Sequence, residues 1–243
     1  NAGNLSVQYP QQVNASGSTL YGSLTLYRDG NVVSNGVNVT LGVNYYNITA
    51  VSSGDQNYTS ASTEKFVNVT KGVNTITLLL NGPSNIISIP YLYQLNVSAT
   101  AFGGWVKLYQ DWLDVTLQNG ANFVLGAAYY NFTANATGNQ NYSDNSIGVT
   151  FFANITKISP IGGMTISTSP LSNVTIYGTA TSTSGTHGAN TGDNDLSYSL
   201  FRESSEIANP DGVIILGAGT YVYVYNTSGG QNYTSGSITR NLT

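Results

Sequence analysis

The 243-residue chain is poor in side chains that do chemistry. It has one histidine, His187, and no cysteine. Neither a thiolate nucleophile nor a His/Cys zinc set can be built from that inventory. His187 stands between Thr186 and Gly188 in a Ser/Gly-rich stretch, a poor place to hold a general base. Glu203 and Glu206 are close in sequence but lie in a polar segment, without the cleft that paired-carboxylate chemistry needs. Asp193-Asn194-Asp195, with Asp111 or Asp114, offers oxygen ligands of the kind calcium takes. It lacks the spacing of a full calcium loop and reads as a solvated loop. Lys65 and Lys107, with Asn or Asp nearby, are candidates for an internal isopeptide crosslink. The sequence assigns no catalytic residue, no metal and no cofactor.

The spacing that does point to chemistry belongs to asparagine. Fifteen of the 29 Asn stand in the N-glycosylation order N-x-[ST]: Asn4, Asn14, Asn38, Asn47, Asn57, Asn68, Asn96, Asn131, Asn135, Asn141, Asn154, Asn173, Asn226, Asn232 and Asn241. With Ser and Thr near a quarter of the chain, chance gives roughly seven such sites. The excess reads as a glycan-coated, extracellular protein. Sugars would supply the hydration that charge usually supplies, since charged residues are only 7% of the chain. Asn57, Asn141 and Asn232 lie inside a tight turn, where their side chains are expected to bond local backbone instead. Asn68, Asn154 and Asn241, with Asn38, Asn47 and Asn131, fall on outward strand positions and are the best acceptors. Asn4, Asn14, Asn96, Asn135, Asn173 and Asn226 complete the set.

The net charge of -4 comes from seven basic and eleven acidic residues, and no basic patch exists for nucleic acid. No run of about 18 apolar residues is present to span a membrane. No cationic, then apolar, leader pattern follows Asn1. Hydrophobic residues make up 40% of the chain, with 18 Tyr, which is enough for packed cores.

The elements that position these residues come in a repeat. Gly54-Asp55-Gln56-Asn57-Tyr58-Thr59 returns as Gly138-Asn139-Gln140-Asn141-Tyr142-Ser143 and as Gly229-Gly230-Gln231-Asn232-Tyr233-Thr234. Ahead of each stands a Leu-Gly pair, Leu41-Gly42, Leu125-Gly126 and Leu216-Gly217, with Tyr46, Tyr130 or Tyr221 four residues after that Gly. The repeat divides the chain at 1–71, 72–157 and 158–243. Within each repeat, alternation with period two marks strands, as in Val37, Val39 and Leu41 against Asn38 and Thr40. No stretch of ten or more residues has a helical period. Asp29-Gly30, Asn35-Gly36, Asn119-Gly120 and Asp211-Gly212 read as turns, and 181–195 as a long flexible insertion. Tyr58, Tyr142 and Tyr233 are expected to be buried structural corners. The outward Phe66, Phe152, Val222 and Val224 hint at contacts between modules or subunits.

The Gly-x3-Tyr strand, the Gly-x-x-Asn-Tyr turn and the final strand resemble the Ig-like repeats of bacterial and archaeal cell-surface proteins. The sequons and the lack of Cys resemble the archaeal type. The resemblance implies an all-β chain of three tandem Ig-like β-sandwiches, serving as stalk, coat, adhesin or filament. The first repeat departs from it. Apolar runs at 75–80 and 164–168 open the second and third repeats, ahead of Tyr91 and Tyr177. Only eight residues precede the comparable Tyr9, so the first sandwich is expected to lack its first strand and to leave 6–9 at an incomplete edge. A filament or surface-layer subunit that takes the strand from another copy of itself follows. The alternative is a cell-surface adhesin or stalk that binds glycans or another cell.

Overall fold

The computed structural model describes residues 4–189 and 193–243; residues 190–192 of the expected insertion lie outside the described residues. Strands dominate, with two short 3-10 turns and no α-helix among the described residues. The first repeat forms β1 (Leu5–Gln8), β2 (Gln12–Ala15), β3 (Leu24–Arg28), β4 (Asn31–Val33), β5 (Val37–Thr40), β6 (Asn44–Ser52) and β7 (Ala61–Thr70). The second forms β8 (Ile76–Leu80), β9 (Ile86–Pro90), β10 (Leu95–Ala101), β11 (Val106–Gln110), β12 (Leu113–Asp114), β13 (Asn122–Phe123), β14 (Tyr129–Ala136) and β15 (Asn145–Thr156). The third forms β16 (Thr165–Ser169), β17 (Ala180–Thr186), β18 (Tyr198–Arg202), β19 (Ser205–Ile207), β20 (Asp211–Ile215), β21 (Tyr221–Thr227) and β22 (Gly236–Leu242).

The sheet orders superimpose repeat on repeat. One sheet runs β1-β7-β6-β3-β4, then β9-β15-β14-β11-β12, then β22-β21-β18-β19. The other runs β2-β5, then β8-β10-β13, then β16-β17-β20. In the first two repeats the outermost strand of the larger sheet runs parallel to its neighbour: β1 to β7 and β9 to β15. In the third, backbone bonds between Asn173, Thr175 and Thr243 stand in that place. This is the strand order of immunoglobulin-like sandwiches. By contact the chain divides into two compact units, Asn1–Asn85 with Val97–Ala121 and Asn131–Phe151, and Ile86–Asn96 with Asn122–Tyr130 and Phe152–Thr243. These units cut through the middle repeat, so 71/72 and 157/158 remain divisions of the sequence.

Alternation explains the burial. Val67 and Val69 on β7 are buried, while Phe66 and Asn68 face outward. Outward aromatics are covered by a neighbour on their own face: Phe66 stacks on Tyr45, and Phe152 on Tyr129. At the hairpins, Asp29-Gly30, Asp111-Trp112 and Glu203-Ser204 all have positive φ, the geometry of the tight two-residue turn. The acidic residue also caps the sheet. Asp29 accepts the Asn47 N–H at 2.8 Å and Asp111 the Asn131 N–H at 3.0 Å, and Glu203 accepts the Val222 N–H.

Two expectations of the third repeat are corrected. Asp211-Gly212 is no turn but the start of β20, and the turn lies at Glu203-Ser204. Asp211 is buried, 2.6 Å from the Arg202 guanidinium, and accepts the Tyr223 hydroxyl at 3.2 Å. The first part of the expected flexible insertion, 181–186, is strand β17, with Thr181, Thr183 and Gly185 inward. Its small residues fit because Tyr223 and Tyr225 fill the core. A Cβ at Gly185 would lie 2.3 Å from the Tyr225 ring.

Candidate assembly interface

The repeated turn is held by its second residue. Asp55 accepts the N–H groups of Asn57 and Tyr58 at 2.8 and 2.9 Å. Asn139 does the same for Asn141 and Tyr142. The third turn has Gly230 there, and two carboxylates from 193–195 take over. Asp195 accepts the Gln231 N–H and Asp193 the Asn232 N–H, both at 2.9 Å. The Asp195 carboxyl is held below its ordinary range, first by its hydrogen bond with Asp193 and then by the Gln231 N–H. The Asp-Asn-Asp stretch thus braces a turn. Among the described residues no group of three or more His, Asp or Glu is placed to hold a metal ion.

Once formed, the turn serves as a joint between repeats. Asn141 Oδ1 accepts the N–H of Val43, next to Gly42, at 3.0 Å. Gly72 donates to the Asn141 carbonyl and accepts the Ser143 N–H, both at 2.9 Å. Tyr142 meets Tyr9 edge to face, with centroids 5.2 Å apart. The second joint repeats this. Asn232 Oδ1 accepts the N–H of Ala127, next to Gly126, at 2.7 Å. Ile158 bonds Asn232 and Thr234, and Tyr233 meets Tyr91 edge to face at 5.9 Å. The receiving corner is close-fitting: a Cβ on Gly126 would press to 3.1 Å from Asn232 Oδ1, and one on Gly42 would stand 3.4 Å from Asn141 Oδ1.

The turn's tyrosines are therefore not buried corners in the expected sense. Tyr58 is 51% exposed and stacks on Tyr21 at 3.8 Å, and Tyr142 is half-buried; only Tyr233 is buried, by the joint. The corner role belongs to Tyr46, Tyr130 and Tyr221, whose hydroxyls donate to the carbonyls of Gly42, Gly126 and Gly217. The Gly-x3-Tyr spacing carried that signal. The joint partners lie 69 to 142 residues apart, beyond any local pattern.

The first repeat is open on one side. β1 already fills the edge at 6–9, so the gap is in the opposite sheet, beside β2. There, among the described residues, β8 and β16 have no counterpart. β10 and β17 each run seven residues, but β2 ends at Ala15, and 16–20 is not strand. Counting from Tyr9, Tyr91 and Tyr177 matches Ala15 and Gly17 with Val97 and Ala99, and with Thr183 and Gly185. The second and third pairs are buried; the first is only half-buried. Inward residues of β6 behave alike. Ile48, Ala50 and Ser52 are half-buried, where Phe132, Ala134 and Ala136, and Tyr223, Tyr225 and Thr227, are buried. The strand β8 inserts Ile76, Leu78 and Leu80, all buried. Three such side chains stabilise by on the order of 6 kcal/mol, which the first repeat lacks.

The sequon asparagines differ in freedom. Asn4, Asn14, Asn38, Asn57, Asn68, Asn173 and Asn241 are exposed, and Asn57 makes no side-chain hydrogen bond among the described residues in place of the expected bond to local backbone; Asn47, Asn96, Asn131, Asn135, Asn154 and Asn226 are half-buried. Asn14 and Asn38 face each other across β2 and β5, with Asn14 Nδ2 donating to Asn38 Oδ1 at 2.8 Å. Asn232 is buried and Asn141 half-buried, each with its Oδ1 committed to a joint. Lys107 and Asp114 are 4.0 Å apart and half-exposed, a surface ion pair. His187 stacks flat on Tyr198 at 4.1 Å.

No known family model matches the chain, and no curated protein does. Solved structures do. The EC1-3 fragment of Drosophila N-cadherin aligns with 9% identity over 100% of this chain and 97% of that one, at a TM-score of 0.32. The fibronectin(III)-like modules of Clostridium thermocellum CbhA align with 13% identity over 63% of this chain and 90% of theirs, at 0.25. The Bacteroides ovatus protein SGBP-B, solved with a mixed-linkage heptasaccharide, aligns with 15% identity over 99% of this chain and 66% of its own, at 0.27. Likeness at this level carries no functional information. Strand order, not the neighbours, makes these sandwiches immunoglobulin-like. No helix among the described residues is long and apolar enough to cross a membrane.

Proposed function

We propose that the chain is a non-enzymatic structural subunit of an extracellular, N-glycosylated filament or surface layer. It assembles by accepting a strand from another copy and by end-to-end contacts. The observation that carries this reading is the half-exposed inner face of the first repeat beside residues 15–19, where both sister repeats have a strand. An unpaired edge over a half-buried face is a template for strand addition. The sequon excess supports a glycosylated surface, and the scarcity of reactive side chains supports a structural role. Light scattering and negative-stain microscopy of the glycosylated protein over a concentration series test it. Filaments or sheets that grow with concentration are expected, through contacts on the order of 1,000 Å² or more. A strict monomer at every concentration contradicts it. The adhesin alternative draws on Trp105 and Trp112, which are 84% and 82% exposed. It predicts saturable quenching of their fluorescence by an oligosaccharide.

A further inference from the structure

The joint that the chain makes twice leaves one turn and one corner over. The turn of the first repeat is formed and braced by Asp55, with Asn57 and Tyr58 exposed. Among the described residues the Asn57 side chain has no partner, whereas Asn141 and Asn232 are each bonded across a joint. The corner of the third repeat is formed too. The Tyr221 hydroxyl donates to the Gly217 carbonyl, as Tyr46 and Tyr130 do at the occupied corners. A concavity there is lined by Tyr177, Leu216, Gly217, Ala218, Tyr221 and others. Tyr177 is 76% exposed, while its equivalent Tyr91 is 6% exposed against Tyr233. The Ala218 N–H, equivalent to those of Val43 and Ala127, has no partner among the described residues. Gly217 keeps room for an incoming oxygen, and only the Tyr221 hydroxyl lies within 4 Å of a Cβ placed there.

We propose that the turn Asp55-Gln56-Asn57-Tyr58 of one copy seats in the Leu216-Gly217-Ala218 corner of a second copy of this chain. Asn57 Oδ1 accepts the Ala218 N–H, and Tyr58 packs edge-on against Tyr177. The inference rests on the filament reading and names its end-to-end contact. The occupant is fixed by the two filled joints: both use an Asn-Tyr turn on a Leu-Gly corner, and this chain carries one more of each. The place also fits strand addition. At the first filled joint Gly72 bonds the turn, and only four residues later Ile76 begins β8, which closes that sandwich. A copy seated on the Asn57 turn therefore stands beside the open edge at 15–19.

The absence of cysteine makes the test clean. Asn57→Cys and Ala218→Cys are made in separate chains, mixed and oxidised, and disulfide-linked dimers are read on a non-reducing gel. Both positions are exposed, so folding is preserved, which circular dichroism verifies. A single chain carrying Val43→Cys and Asn141→Cys calibrates the geometry at a filled joint. The dimer yield should exceed that of Asn57→Cys with the exposed Gly212→Cys at least tenfold, and Tyr58→Ala should raise the assembly threshold about tenfold. Filaments with cross-linking at the control level overturn this contact and leave the filament reading standing. Neither filaments nor cross-links overturn both. Saturable oligosaccharide binding at Tyr177 that leaves cross-linking at the control level gives the corner to the adhesin reading.

Discussion

Asn232 and Asn57 occupy the same place in the repeated turn and have opposite surroundings. Asn232 is buried, with Oδ1 bonded to Ala127; Asn57 is exposed. Asn232→Ala should cost about 1–3 kcal/mol in urea unfolding, the cost of a buried bond broken on one side. Asn57→Ala should stay within about 0.5 kcal/mol in the dispersed protein. Equal costs would contradict the joint. Tyr233 adds a pH dependence. Burial, then the neighbouring Tyr91, raises its phenol above the ordinary value. A raised phenol favours the neutral form in the folded state. Its contribution is full below the unfolded pKa of about 10 and is lost as pH rises through the folded value. Tyr233→Phe should flatten that part of the fall in unfolding midpoint between pH 8 and about 11. The sequence alone marks Asn232 and Asn57 identically as sequons within a turn. What separates them is a partner about a hundred residues away.

Strands with apolar alternation were legible because period two needs only local chemistry: β6, β7, β14 and β21 all lie where Ile, Val, Phe and Tyr alternate with polar residues. β17 was not legible. Its Ser, Thr and Gly carry turn and loop signals, and only the tyrosines opposite make small residues the ones that fit. β20 was hidden in the same way, because Asp-Gly is a turn signal until Asp211 is seen to face Arg202. Two variants test these strands. Thr183 Oγ1 is buried without a hydrogen-bond partner among the described residues. Thr183→Val should be neutral or stabilising, by up to about 1 kcal/mol, since it removes an unpaired buried hydroxyl. Asp211→Ala should destabilise by about 2–3 kcal/mol. That lies below the range for a fully buried pair, because the Arg202 side chain is 28% exposed. Denaturant midpoints check both.

For the molecule as a whole, three copies of one sandwich differ in how far each is closed. Among the described residues the second and third have a strand beside β10 and β17, and the first has none at the matching edge of β2. That the open side lies in the smaller sheet was not legible, because strand order cannot be read from spacing. The central claim is that a second copy closes the first repeat. Amide hydrogen exchange at residues 15–19, compared between dispersed and assembled protein, tests it most directly. The matched amides of Ser98 and Thr100 lie opposite Leu79 and Thr77 of β8 in the chain itself and should be protected in both states. The account predicts that the Ser16 and Ser18 amides, which face the open side, exchange rapidly when dispersed and become protected on assembly, whereas the Gly17 N–H already donates to Asn35 Oδ1 at 3.0 Å. Assemblies in which the Ser16 and Ser18 amides exchange as fast as in the dispersed protein would contradict it.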